Sequence, residues 1–515
     1  MANPTADPLA TLELPNNTNS CWWRDRGLRK LLFWQGCILV SQMTVGYDES
    51  VVGSLQAMKP WINDMGHPSS SKIGLITAIV FVGGFVGAFL AAPLADRYGR
   101  RVAICTGAAL TLTGAIIQTA AQSSGMFIGG RFVIGLGISF TCCAGPSLLN
   151  ELAHPRMRGT IASMFNVLWY VGSIIAAWTT FGTGHMTSSS WSWRIPSLIQ
   201  GIPSVLVVIA IPFIPESPRW LYSKGRGDEA KEILSRYHAN GSLSDEFVDF
   251  EMTEISSSVD MEKLMSSESW AQLLKSNANK KRFGICIAVA LLTLWNGQGV
   301  ISYYFSPILT SIGITTTDSQ TGINGGMQIW NFFCALAGAF LVDRLGRRTL
   351  WLTSFIGMIL ANVPLTIASA MYTEHGSKAA AYTVVVFLFL YNAAFNLACN
   401  PLLYCYATEI LPFGIRARGL ALQIAVSQAA LTVNQYVNPI ALDNIGFYYY
   451  IFYLGMLVLG TMIIYFFFPE TKGYSLEELS HLFEDPAHIQ IVGLDRAEED
   501  DSSNTGKEDL FPEKL

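Results

Sequence analysis

Charge is scarce in this chain: only 14% of its 515 residues are Asp, Glu, Lys or Arg. An ordinary soluble domain carries about 25%. The shortage excludes a well-solvated surface over most of the length. No Gly-x-x-x-x-Gly-Lys-Ser/Thr sequence is present, which excludes an ATP-driven pump built on that loop. No nucleophile–base pair and no metal-ligand spacing occurs, so neither an enzyme nor a bound cofactor is expected. Nor is a nucleic-acid partner. The first 30 residues hold no cleavable signal; they are polar and end in Arg24, Arg26, Arg29 and Lys30. The first apolar run is therefore expected to stay as the first span.

Apolar residues are abundant at 51%. Twelve runs are long enough to cross a bilayer, which takes roughly 20 residues. They lie near 31–55, 73–95, 102–122, 125–149, 160–181, 193–214, 283–310, 323–342, 350–371, 380–405, 419–440 and 446–468. With a cytosolic N-terminus, 28 of the 33 Lys and Arg fall on the cytosolic side. Lys59, Lys72, Arg194 and Lys378 fall outside, and Arg131 lies within a span. That asymmetry predicts cytosolic termini. Of the nine cysteines all but Cys21 lie in apolar runs, where packing is the expected role. Asn16-Asn17-Thr18 and Asn240-Gly241-Ser242 match the glycosylation pattern but fall on the cytosolic side.

One phrase occurs twice. Ala92-Pro93-Leu94-Ala95-Asp96-Arg97-Tyr98-Gly99-Arg100-Arg101 reappears as Ala339-Phe340-Leu341-Val342-Asp343-Arg344-Leu345-Gly346-Arg347-Arg348. A short basic turn between two spans, repeated once per half, marks a duplicated transporter. The expected fold is an all-α polytopic membrane protein of 12 spans in two six-helix halves. Residues 1–30 form a disordered cytosolic leader and 31–214 the first half. Residues 215–282 make a cytosolic loop, helical over 228–237. Residues 283–468 form the second half and 469–515 an acidic cytosolic tail.

Further phrases lie in a fixed order along 31–480. They are Gly46-Tyr47-Asp48, Gly130-Arg131, Glu151 with Arg158-Gly159, and Pro215-Glu216-Ser217-Pro218-Arg219. Glu409 with Arg416 and Pro469-Glu470-Thr471-Lys472-Gly473 follow. In this set the chain resembles the sugar porter family of the major facilitator superfamily. A narrower resemblance, to its fungal lactose-permease-like and hexose-transporter branch, rests on Trp169 to Trp178, Ser302-Tyr303-Tyr304, Asn400 to Tyr404 and Asn434 to Pro439. The family implies alternating access, a sugar as solute, a plasma-membrane location and a monomer.

The charges beyond the spans read as a cytosolic gate. Asp96, Arg100, Arg101, Glu151, Arg158, Glu216 and Arg219 belong to the first half; Asp343, Arg347, Arg348, Glu409, Arg416 and Glu470 belong to the second. Ion pairs within each half would hold the outward-facing state and part as the cavity opens inward. The alternative is topogenic charge at helix ends. The family usually has Gly four residues before the Asp, where this chain has Ala92 and Ala339.

Asp48 and Arg131 lie within spans, where a charge costs at least ~3 kcal/mol. Burial favours a neutral carboxyl and a neighbouring Arg favours the carboxylate, so solute binding can tip a proton on or off. The family's symporters resemble this chain at both positions, which implies proton coupling. A structural ion pair is the alternative. Glu49, beside Asp48, is unusual and is expected at the cavity mouth.

A sugar site needs groups that both donate and accept, with aromatic faces beside them. Asn166 stands where the family usually has Gln, and Trp169 follows one turn on. Asn296, Gln298, Tyr303, Tyr304, Gln328, Asn331, Asn396 and Tyr404 complete the expected site. Hydrogen bonding between helices is the alternative for each amide. The seventh span departs most: the family's Gln-Gln, or Gln-Trp in the lactose-like branch, is replaced at Thr293-Leu294-Trp295. The missing amide points to a different sugar or a less hydroxylated metabolite. Gly297-Gln298-Gly299 is the expected hinge. The leading expectation is a proton-coupled sugar carrier; a facilitator or exporter of a non-sugar metabolite is the alternative. A nutrient sensor would carry a longer tail.

Overall fold

The structure, a computed structural model, describes residues 18–19, 21–265, 276–411, 413–472 and 483. The first 17 residues and most of the expected acidic tail, 473–482 and 484–515, lie outside these. In a membrane every backbone group must find its partner within the protein, and helices do this locally. The apolar runs accordingly fold as helices.

In the first half, α1 (Arg26–Leu55), α3 (Ser70–Tyr98), α4 (Arg100–Thr119), α5 (Ser124–Leu152) and α6 (Arg158–Gly184) are continuous spans. A short α2 (Lys59–Asp64) joins α1 to α3. The sixth span, expected as one run over 193–214, is broken into α7 (Trp191–Ile199) and α8 (Ile202–Ala210). Between the halves lie α9 (Pro218–Ser223), α10 (Gly227–His238) and α11 (Glu246–Met265).

The seventh span is in three pieces, α12 (Asn277–Leu294), α13 (Gln298–Tyr303) and α14 (Phe305–Ser311). Its first break centres on Gly297, whose φ of +99° is a left-handed conformation that other side chains resist. The second half closes with α15 (Thr317–Leu345), α16 (Arg347–His375), α17 (Lys378–Ile410), α18 (Phe413–Ile445) and α19 (Tyr448–Phe467). This is the 12-span, two-half layout of the major facilitator fold. Among the described residues, seven spans are long and apolar enough to qualify on length and composition alone.

The halves repeat each other in packing. In the first, α4 lies against α5, α3 against α5, α1 against α6 and α4 against α8. In the second, α16 lies against α17, α15 against α17, α12 against α18 and α16 against α19. The α1–α6 contact depends on two glycines. A Cβ on Gly46 would stand 1.9 Å from the Trp169 carbonyl oxygen, and one on Gly172 would stand 2.0 Å from that of Met43. Between the halves α3 meets α18 and α6 meets α15.

The leader differs from expectation. Rather than disorder up to residue 30, a 3-10 turn occupies Trp22–Arg24 and α1 starts at Arg26. Asp25 explains the order. Its carboxylate accepts the Asn19 backbone N–H at 2.9 Å, Asn19 Nδ2 at 2.7 Å and Asn240 Nδ2 at 3.2 Å. Asn240 Oδ1 in turn accepts the Gly27 N–H at 2.8 Å, so leader, α1 and central loop are tied together. Beside them His238 Nδ1 lies 2.7 Å from Glu251 and Nε2 lies 3.2 Å from the Leu152 carbonyl. His154 stacks on Phe247 with ring centroids 5.1 Å apart. Burial, aided by His238 and Arg156, pushes the His154 imidazole down to about 4.

Candidate functional site

The site is built around a buried ion pair. Asp48 on α1 and Arg131 on α5 are 0% and 1% exposed. Arg131 grips both carboxylate oxygens, Nη1 to Oδ1 and Nη2 to Oδ2, each at 3.3 Å. Its Nε donates to the Ile76 carbonyl of α3 at 2.8 Å. Gln200, in the break between α7 and α8, donates to Asp48 Oδ1 at 2.6 Å. Four spans thus converge on one carboxylate. Asp48 stands seven residues from the end of α1, a depth of about 10 Å.

Beside it Glu49 faces the Tyr303 hydroxyl of α13 and the Trp169 indole of α6. It is half-buried. Trp169 packs edge-on against Tyr170 at 4.8 Å, and Tyr303 against Phe81 of α3 at 5.9 Å.

Amides and hydroxyls form a second layer between the halves. The Tyr170 hydroxyl donates to Asn396 Oδ1 at 2.5 Å and accepts from Asn400 Nδ2. Asn396 Nδ2 donates to Asn331 Oδ1 at 3.2 Å. Gln328 Nε2 donates to Asn324 at 3.1 Å, and Asn324 donates across to Ser54 Oγ at 2.8 Å. Asn296 Oδ1 accepts the Gln298 backbone N–H at 3.0 Å across the Gly297 break. Gln298 Nε2 donates to Asn392 at 2.6 Å and Ser302 at 3.0 Å. Tyr404 is 44% exposed in the cleft, within electrostatic reach of Cys142. Tyr304 is fully buried instead, and its hydroxyl donates to the Gln435 carbonyl at 2.5 Å, linking the seventh span to α18. Asn166 lies on α6; its side chain is outside the described set.

Further contacts join the halves at the end away from the repeated basic turns. Gln56 Nε2 donates to the Tyr303 carbonyl at 3.0 Å, Thr317 Oγ1 to that of Ala57 at 3.0 Å, and Ser70 Oγ to Asp443 at 2.7 Å.

At the opposite end the gate residues divide into three jobs, repeated in each half. Arg100 pairs with Glu151 at 3.4 Å and with the exposed Asp96 at 3.3 Å; Arg347 pairs with Glu409 at 2.8 Å. Arg101 donates to the carbonyls of Ile211 at 3.2 Å and Pro212 at 2.7 Å; Arg348 donates to that of Tyr465 at 2.5 Å. Glu216 accepts the backbone N–H groups of Arg100 and Arg101 at 3.1 and 3.2 Å. Glu470 accepts those of Arg347 and Arg348 at 2.8 and 3.1 Å. Each Glu therefore caps the positive end of a helix, α4 or α16. Burial pushes the Glu216 carboxyl up, against the pull of its N–H donors. The expectation of ion pairs throughout was too simple: Arg101 and Arg348 serve carbonyls, and Glu216 and Glu470 serve amides. Arg416 donates to the Leu411 carbonyl at 3.3 Å, Arg158 is exposed and Arg219 half-buried. The Asp343 side chain is outside the described set.

The family model described as sugar (and other) transporter matches residues 35–483. The chain belongs to this family. Among curated relatives it is 30% identical over 466 residues to the MFS-type transporter criB of Aspergillus cristatus, covering 89% of this chain and 94% of the relative. It is 29% identical over 468 residues to a high-affinity glucose transporter of Kluyveromyces lactis, covering 87% and 84%. Among solved structures it superposes on the inward-open xylose transporter XylE of E. coli with a TM-score of 0.73. That match has 21% identity and covers 88% of this chain and all of the other. A structure of XylE described as a proton:xylose symporter bound to 6-bromo-6-deoxy-D-glucose matches at 0.71 and 22% identity. These two likenesses speak to the fold.

Sequence reasoning missed Gln200 and Tyr170 as site residues of this family member. A lone amide in the run 193–214 was the available signal for Gln200. For Tyr170 there was only its place beside Trp169.

Proposed function

We propose that the chain moves a sugar, a hexose or a β-linked disaccharide such as lactose or cellobiose, across the plasma membrane by alternating access with proton symport. The observation that carries this reading is the Asp48–Arg131–Gln200 cluster. A buried carboxylate held by a bidentate cation and an amide has its charge compensated by those two partners. They come from α5 and the α7–α8 joint, so a shift between these helices changes what holds Asp48. The relatives named as a glucose transporter and as a proton:xylose symporter support the solute class and the coupling.

In this reading the solute lies in the cleft between the halves. Trp169 offers an aromatic face, while Gln298, Gln328, Asn331, Asn396 and Tyr404 offer hydrogen bonds with Asn296 beside them, and Asn166 of α6 is assigned to the same site from its sequence position. The basic turns, with Asp96, Arg100, Glu151, Arg347 and Glu409, form the cytosolic gate. Both termini, the 215–282 loop and the 469–515 tail lie in the cytosol, and the carrier works as a monomer in the bilayer.

The test is uptake in a fungal host lacking its own sugar carriers, with labelled lactose, cellobiose and glucose, with and without a protonophore. Uptake that collapses with the protonophore supports the reading. Uptake that ignores it makes the protein a facilitator. Absence of all three uptakes, with the protein at the surface, favours the second reading, a carrier of a non-sugar metabolite. Leu294, half-buried where the family has an amide, supports that second reading.

A further inference from the structure

Glu49 and Asp48 are neighbours on α1, so their side chains point about 100° apart around the helix. Asp48 turns into the first half, where Arg131 and Gln200 fill its oxygens. Glu49 turns into the cleft between the halves, with the Tyr303 hydroxyl of α13 and the Trp169 indole of α6 among its polar neighbours. Tyr170 of α6, Cys142 of α5 and Tyr404 of α17 stand within electrostatic reach. The charged groups near it are Asp48, which repels it, and Arg131, which attracts it. Both terminal nitrogens of Arg131 are committed to Asp48.

Asp48 therefore has a compensated charge and Glu49 does not. An uncompensated charge half-buried within a membrane span is disfavoured, and protonation removes that penalty. The burial itself depends on conformation. Tyr303 sits on α13, just past the Gly297 break, and its backbone holds the Gln56 side chain of α1 at 3.0 Å. When the mouth at this end opens, α13 must leave α1, and Glu49 meets water. With the mouth closed, Glu49 is half-buried.

We propose that Glu49 is a second proton-carrying carboxylate of the transport cycle, whose protonation permits the Tyr303 contact to form and the outer mouth to close. The proton comes from outer water, rides on the carboxyl of Glu49, and leaves through the cleft on which Cys142 and Tyr404 are exposed. The ionised Glu49 then favours the open mouth, which resets the cycle. This rests on the symport reading above and assigns part of the coupling to a residue outside the Asp48 cluster.

The experiment uses the full chain in the same host, with whichever of lactose, cellobiose or glucose it takes up. Two quantities are read: protons taken up per sugar, from alkalinisation of a weakly buffered medium, and the rate of sugar exchange from pH 5 to 8. Glu49→Gln closes without a proton, so it exchanges sugar with a flat pH profile and carries fewer protons per sugar. Glu49→Asp restores both. A Glu49→Gln protein with the original proton count and pH profile overturns the proposal. Should Glu49→Gln fail to reach the surface, Tyr303→Phe decides: removing the hydroxyl shifts the pH of half-maximal exchange, and an unmoved midpoint overturns the proposal. An unmodified chain that moves sugar without protons refutes the symport reading itself, a different result from either variant's.

Discussion

Gln200 donates a 2.6 Å hydrogen bond to Asp48 from a position where its own helix is interrupted. The interruption and the bond belong together. The amide at the joint between α7 and α8 reads the charge on α1. A hydrogen bond to a charged group contributes ~1.5–3 kcal/mol. Gln200→Leu should therefore lower uphill accumulation about tenfold, with exchange less affected. Equal loss of both, measured as accumulation ratio against counterflow rate, would assign Gln200 to packing.

Arg131→Ala leaves the Asp48 carboxylate buried with Gln200 as its remaining partner, at a cost of ~3–5 kcal/mol. Transport should fall at least ~100-fold and surface protein should fall with it. Adding Asp48→Asn removes the stranded charge, so the double variant should recover surface level without recovering uphill uptake. Surface labelling and uptake assays separate the two effects; near-normal flux in Arg131→Ala would retire the pair from transport.

Glu216 and Glu470 hold equivalent places in the two halves, so their removal should have equivalent effects. Each caps a helix, and losing a cap costs ~0.5–2 kcal/mol. Glu216→Ala and Glu470→Ala should each lower the melting temperature of the purified protein by a few degrees. If each acted only as a gate ion, melting would stay put and only the rate of transport would change.

His154 gives a pH dependence with a defined sign. In the docked loop its imidazole is held down to about 4, against an ordinary value of 6.5. The undocked residue takes a proton below 6.5 and the docked one does not. Docking is fully favourable above that pH and weakens as pH falls, by ~1.4 kcal/mol per unit. Hydrogen exchange of α10 and α11 at pH 7.5 and 5.5, corrected for intrinsic rates, should show opening easier by ~1 kcal/mol at the lower pH. His154→Phe should remove most of that difference; an unchanged difference would place the sensor elsewhere.

Much of this was readable in the residues because the fold is duplicated. Asp-Arg-x-Gly-Arg-Arg could be recognised at Asp96 and Asp343 by comparison of the chain with itself, and its partners Glu151 and Glu409 followed by position. Roles within the repeat were less legible. Arg100 and Arg101 are adjacent and chemically identical, yet one meets a carboxylate and the other carbonyls, a choice set by side-chain direction around α4. The breaks were legible where a glycine forces them, as at Gly297. At residues 200–201 the surrounding run is apolar enough that its hydropathy does not record an interrupted helix. Glu49 was visible as an oddity, but its face of α1 depends on where Asp48 turns.

The bonds between Gln56 and Tyr303, Ser54 and Asn324, Ala57 and Thr317, and Ser70 and Asp443 all close the same end of the molecule. Each is worth ~1 kcal/mol. Opening that side means breaking the whole set. Four modest bonds acting together work like a zip fastener: no single one holds the door, and none can be spared while it stays shut.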